Sequence, residues 1–177
     1  MATVGYLLGA GASAQCIPVV NGMSNDLRVI VGQLYGYFMQ SGEYGEMFLP
    51  NGAIGVKKAG NALTKLSEIC ENHYSVDTYA KKLFLTNINA FEKLKLDLSL
   101  YFTLRQIITN SDKRYDNFFS SIITSENKLP SQIKIISWNY DFQLEKSYCQ
   151  FNPQIDINMA RALLGITGIA TIKWTFS

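Results

Sequence analysis

Hydrophobic positions along this chain follow two kinds of spacing. Thr3 to Leu8 (TVGYLL) is a short apolar run with β-branched and aromatic members that ends in glycines, which is how a buried parallel strand reads. Ser131 to Trp138 (SQIKIISW) reads the same way, and Pro130 marks its boundary. Between these strands the spacing is helical. Leu27, Val31, Leu34, Tyr35 and Phe38 predict a helix over Ser24 to Gln40, capped by Ser24 or Asn25. Leu63, Leu66 and Ile69 predict a second over Ala59 to Cys70, and Asp77 caps a third that ends at Leu85. Ile88, Phe91, Leu94, Leu98, Tyr101 or Phe102, and Arg105 line one side of a helix over Ile88 to Ile108. Phe118, Phe119 and Ile122 do so over Tyr115 to Ile123. Asp141 to Cys149 reads as a helix directly after the second strand, Ala160 to Leu164 as a helical turn, and Ile169 to Trp174 as a third strand. Ser41 to Gly60 breaks the pattern: Gly42, Gly45, Gly52, Gly55 and a Pro50-Asn51-Gly52 turn predict a long surface loop.

Alternating helices and wholly apolar strands predict an α/β fold, a Rossmann-like parallel sheet with a large helical insertion between the first and second strands. The insertion covers roughly residues 57–127, and about a hundred residues separate the two strands, far beyond the usual crossover. One domain over residues 1–177 accommodates all of it.

Composition narrows the class. Hydrophobic content of 47% with 17% charged residues is that of a globular chain. A net charge of +2 without a Lys/Arg block gives no support for nucleic-acid binding, and the pairs Lys57-Lys58, Lys81-Lys82 and Lys113-Arg114 read as solvated faces. No stretch is long and apolar enough to predict a membrane span. Cys16, Cys70 and Cys149 lie far apart without a CxxC pair, and His73 is the single histidine. No metal site is expected, and reduced thiols in a cytoplasmic protein are the natural reading.

Two stretches carry candidate chemistry. Gly9-Ala10-Gly11-Ala12-Ser13-Ala14 fits a GxGxxA pattern directly after the first strand. The first glycine permits a tight turn and the second lets the backbone approach a pyrophosphate. Following N–H groups and a helix dipole then favour the negative charge, and Ser13 adds a hydroxyl. An acidic residue about 20 positions on, which would bind the ribose of a dinucleotide in an ordinary dehydrogenase, has no counterpart here because the second strand comes too late. Hydride transfer is therefore disfavoured. The second stretch, Ser137-Trp138-Asn139-Tyr140-Asp141, leaves the end of the second strand, so Asn139 and Asp141 are expected at the same crevice as Gly9 to Ser13. An Asn amide both donates to and accepts from a ribose hydroxyl or water. Asp141 reads equally as a ligand and as the cap of the next helix.

These residues resemble the sirtuin-like domains of bacterial anti-phage defence proteins. Gly9 to Ser13 (GAGAS) followed by Ile17-Pro18 and Asn21-Gly22-Met23, then Ser75-Val76-Asp77-Thr78-Tyr79, then Ile136 to Asp141, stand in the family's order over most of the chain. The resemblance implies a single NAD-binding domain that hydrolyses NAD to nicotinamide and ADP-ribose and so depletes the infected cell. It implies that Gly9, Ala10, Gly11, Ala12 and Ser13 hold the pyrophosphate and that Asn139 is the catalytic asparagine. Asp77, also a candidate helix cap, would lie near the nicotinamide side, and Asp141 would join the binding residues. It further implies assembly into homo-oligomers or with an additional defence effector subunit. The departure from the family is a histidine. In the family it sits in a KLHG-like segment downstream of the asparagine, whereas Ile172 to Ser177 (IKWTFS) puts Thr175 there. That predicts a chain incomplete at its C-terminus, or an inactive module that binds NAD or ADP-ribose. His73, in the polar stretch ENHYS, reads as a solvated loop residue. The family's deacylase branch carries a zinc module with two CxxC pairs, so a deacylase does not fit.

Overall fold

A computed structural model of the protein describes residues 3–48, 52–137, 139 and 141–166. In chain order these form β1 (Val4–Leu8), a one-turn 3-10 helix (Ala10–Ser13), α1 (Val20–Phe48), α2 (Gly52–Asn72), α3 (Val76–Thr86), α4 (Ile88–Ile108), α5 (Lys113–Ile122), β2 (Ile133–Ser137), α6 (Gln143–Phe151) and α7 (Ile157–Leu163). The chain is mixed but mostly helical, with one two-stranded parallel sheet whose register runs from Val4 opposite Ile133 to Leu8 opposite Ser137. The expected third strand, Ile169 to Trp174, and Thr175 lie outside the described residues. The chain divides into two compact units: a sheet unit of Met1–Ile17 with Ile108–Ser177, and a helical unit, Pro18–Ile107.

In the sheet unit, parallel pairing puts Tyr6, Leu8, Ile133 and Ile135 on one face. Tyr115, Phe118, Phe119 and Ile122 recur at helical spacing on α5, and Leu144 and Tyr148 on α6; all join Ile135 and Leu8 in one hydrophobic cluster. Tyr6 meets Phe118 edge-to-face at 5.0 Å between ring centroids. The other face differs from the expectation of strands buried on both sides. Leu7 is 66% exposed and its partner Ile136 39%, because among the described residues the helices packed on the sheet cover one side only. α5 is capped by Asp112, which accepts from the Arg114 N–H, and α7 by Asp156, which accepts from the Met159 N–H.

In the helical unit, Met23, Leu27 and Ile30 of α1 share a buried cluster with Leu63 and Leu66 of α2, Val76 of α3, and Leu94 and Tyr101 of α4. Helical periodicity therefore finds the core, although Ile88, on the predicted α4 stripe, is exposed. On either side of residues 49–51 the glycine-rich segment is helix rather than the predicted loop: α1 runs on to Phe48 and α2 opens at Gly52, while the predicted turn at Pro50-Asn51 lies outside the described residues. An interior glycine costs about 1 kcal/mol in a helix, less than the burial of the α1 and α2 core residues returns. Gly60 also has a positive use, since a Cβ there would collide with the Tyr35 phenol.

The predicted caps shift as well. Ser24 lies inside α1, where its hydroxyl bonds Ser67 Oγ at 3.1 Å and Glu71 Oε1 at 3.0 Å, beside the Arg28–Glu71 ion pair. Ser75 rather than Asp77 caps α3, accepting from the Thr78 N–H at 3.1 Å. Below them Tyr101, fully buried, donates to Asp26 Oδ2 at 2.9 Å, with Arg105 Nε 3.4 Å from the same oxygen. No helix among the described residues is long and apolar enough to cross a membrane.

Phe119 is fully buried and Leu85 is 73% exposed, which makes them a contrasting pair. Phe119→Ala is expected to lower unfolding free energy by about 3–5 kcal/mol, and Leu85→Ala by less than about 0.5 kcal/mol, both measured by urea denaturation.

Candidate functional site

β1 and β2 end level with each other, Leu8 opposite Ser137, so the segments that follow them leave from the same edge of the sheet. After β1 the chain passes through Gly9, which is extended (φ −110°, ψ 179°), into the 3-10 helix, closed by the Ala12 N–H on Gly9 O at 2.8 Å. Two expectations for this turn change. Neither Gly9 nor Gly11 has a positive φ, so backbone strain does not demand glycine. A Cβ at either position would meet no atom within 4 Å, so their contribution is open backbone. The expected helix dipole is also reduced to a single 3-10 turn, because α1 begins only at Val20.

Ser13, at the end of that turn, has no exposed surface. Its Oγ donates to Asp141 Oδ1 at 2.9 Å, lies 3.0 Å from Tyr115 Oη and accepts from Asn139 Nδ2 at 3.1 Å. Asn139 Nδ2 also lies 3.2 Å from Tyr115 Oη, while the Asn139 backbone N–H donates to Ser137 Oγ at 3.3 Å. Asn139 and Asp141 thus meet the glycine turn directly through Ser13. Asp141 stands one residue before the α6 N-cap, Phe142, so it is not the cap the sequence predicts, but it accepts from the Gln143 N–H at 3.0 Å at the start of that helix. Asn139 Oδ1, sealed from solvent, and Gln143 Nε2 have no hydrogen-bond partner among the described residues.

A second layer fixes the turn. Asp112, with no exposed surface, accepts from the Gln15 N–H at 3.1 Å and pairs with Arg114 through both carboxylate oxygens at 3.0 and 2.7 Å. Arg114 Nη1 donates to Gly11 O at 3.0 Å, and the Asp112 N–H donates to Gln143 Oε1 at 2.9 Å. The Lys113-Arg114 pair is therefore not merely a solvated face, since its arginine clamps the glycine turn. Tyr115, Asp112, Arg114 and Gln143 were all missed as site residues. Only Asp112 carried a sequence signal, as an acidic residue just ahead of a helix.

Burial pushes the Tyr115 phenol up to about 12, against the opposing Ser13 hydrogen bond, so it stays protonated at neutral pH. Burial also raises Asp141, countered by the Gln143 N–H and Ser13. For Asp112 burial acts upward, but its bonds from Arg114 and Gln15 prevail and hold it below the ordinary carboxylate range. Glu145, buried on α6 with Arg161 Nε 3.7 Å away, is raised to about 6, mainly by burial.

The remaining candidates belong to the helical unit. Asp77 is exposed in the first turn of α3, and His73 is half-buried in the bend before it, its ring stacked on Tyr79 at 4.4 Å. His73 is thus a packed residue and not simply a solvated one. Among the described residues no group of three or more His, Cys, Asp or Glu is placed to hold a metal ion. Comparison with protein-family models, curated proteins and solved structures gives no match for this chain.

Because the folded-state pKa of Glu145 lies above its unfolded value of 4.5, its contribution to stability is full below about 4.5 and lost as pH rises through about 6. Glu145→Gln is therefore expected to stabilise the protein by about 1–2 kcal/mol at pH 8 and not at pH 4. Paired urea titrations at the two pH values measure the difference.

Proposed function

We propose that this chain is a sirtuin-like NAD-binding domain that hydrolyses NAD to nicotinamide and ADP-ribose, with a role in anti-phage defence. The observation that carries the reading is the pairing of open glycine backbone at Gly9 and Gly11 with Asn139, which is held on Ser13 and has one buried polar atom without a partner among the described residues. In this reading the parallel pair β1–β2 is the nucleus of a Rossmann-like sheet, whose carboxyl edge is where nucleotides bind. Of the expected stretch Gly9 to Ser13, the open backbone at Gly9 and Gly11 suits the pyrophosphate. The Ser13 hydroxyl, buried and bound to Asp141, Tyr115 and Asn139, supports the turn instead of reaching phosphate. Asp141 acts through Ser13, and Asp77 is assigned to the nicotinamide side on the resemblance alone.

The chemistry asked of these residues is modest. The electron pair of the nicotinamide–ribose bond leaves with the ring nitrogen, and water supplies the new ribose oxygen and releases a proton. The transition state is cation-like at the ribose, as in glycoside cleavage. Asn139 Oδ1 accepts a hydrogen bond from that water or a ribose hydroxyl and so fixes its approach.

A second reading has its own observation. Among the described residues of the sheet unit there is no histidine, and Tyr115, Ser13 and Asp141 are bound to one another, so the cluster shows no free general base there. That favours a module that binds NAD or ADP-ribose without turnover. Nicotinamide release from NAD by the purified protein separates the two. The hydrolase reading expects turnover that Asn139→Ala lowers by about a hundredfold or more. Release no faster in wild type than in Asn139→Ala, with ADP-ribose still bound in calorimetry, supports the binding module instead.

A further inference from the structure

The glycine turn spends most of its own donors inside the protein. The N–H groups of Ala12, Ala14, Cys16 and Ile17 donate to backbone carbonyls of the same stretch, and that of Gln15 donates to Asp112 Oδ2. The Ser13 hydroxyl is committed to its buried cluster. Because α1 opens only at Val20, no long helix stands behind the turn to add its dipole. Two carboxylates, Asp112 and Asp141, are bonded to this stretch through Gln15 and Ser13. Backbone alone therefore leaves the turn short of positive charge for an anionic diphosphate. Arg114, at the start of α5, is placed to make up the difference. A guanidinium has five N–H donors. Here Nε and Nη2 bind Asp112, and Nη1 binds Gly11 O, which leaves one hydrogen on each Nη. The side chain is 44% exposed and ends beside the exposed backbone of Gly11.

We infer that Arg114 is a phosphate-binding residue, which takes the oxygens of a diphosphate at Gly9 and Gly11 with the Nη hydrogens that Asp112 and Gly11 leave free. The inference rests on the NAD reading for placing a diphosphate at this turn, and it deepens that reading by assigning the charge to α5 instead of to the glycine motif. Asp112, fully buried, anchors the guanidinium before any ligand arrives, so little rotamer freedom is lost on binding. The planar fork of an arginine matches phosphate oxygens in a way that a lysine does not. Loss of Arg114 removes that contact and also leaves Asp112 and Asp141 facing the anion without a counter-charge at the turn.

The test uses two probes on the full chain: inorganic pyrophosphate, which is the diphosphate alone, and ADP-ribose, which carries it within a nucleotide. In wild type labelled with ¹⁵N at arginine, the Arg114 side-chain N–H resonances are expected to shift with either probe and to saturate at the affinity that calorimetry gives. This arm needs no variant to fold. Arg114→Gln is expected to weaken both probes about ten- to a hundredfold. Arg114→Lys, which keeps the charge and loses the fork, is expected to fall between while leaving the ligand-free Gly9 and Gly11 backbone shifts in place. A residue that only props the turn would instead move those backbone shifts and show no saturating side-chain response. Probes bound without a response at Arg114, or bound equally by wild type and Arg114→Gln, overturn the inference and leave the NAD reading standing. Pyrophosphate bound through Arg114, with ADP-ribose bound no more tightly, supports the inference and counts against the NAD reading. Binding of neither at millimolar concentration overturns both.

Discussion

The hydroxyl of Ser13 is the point on which the sheet unit's chemistry depends. It is fully buried, and it joins three groups that are each more than a hundred residues away in sequence: Tyr115 on α5, and Asn139 and Asp141 beyond β2. A buried hydroxyl without partners would be destabilising, and here every contact is made by a side chain that itself needs one. The parallel register makes this meeting geometrically available, because Leu8 and Ser137 end at the same level. Asp112 and Arg114 then hold the turn from the α5 side by binding the Gln15 N–H and Gly11 O. Glycine at positions 9 and 11 leaves the turn's backbone uncovered. In the proposed function, this polar cluster supports the open stretch of backbone that meets the nucleotide.

Local spacing made much of this fold legible. Both strands, the long helices and the core positions Leu27, Leu63, Leu66, Leu94 and Phe119 follow from periodicity, because burial acts on one face of each element. Glycine content misleads where the helix nevertheless continues: Ser41 to Phe48 and the residues from Gly52 on are helical despite their composition. Caps were misplaced by a residue or two at α3 and α6, since Ser75, Asp77, Asp141 and Phe142 offer competing ends within one turn. The candidate site was half visible. Gly9 to Ser13, Asn139 and Asp141 stand in a recognisable order, but Tyr115 looks like any aromatic on an apolar helix face until its hydroxyl is seen against Ser13. Arg114 looks like a surface charge for the same reason, because its partners Gly11 and Asp112 are set by tertiary structure.

In the proposed function these groups divide their labour. The open backbone at Gly9 and Gly11 is assigned to phosphate and Asn139 to a hydroxyl or water, a division that NAD and ADP-ribose both match. Cleavage asks for more than binding does, since a general base or a well-placed water must complete the site.

Titration of ¹⁵N-labelled full-length protein with ADP-ribose, followed by backbone chemical shifts, tests the central claim most directly. The account predicts the largest shifts at Gly9, Gly11, Ser13 and Asn139, saturating together with one affinity. Shifts confined to the helical unit, or none at millimolar ADP-ribose, would contradict it.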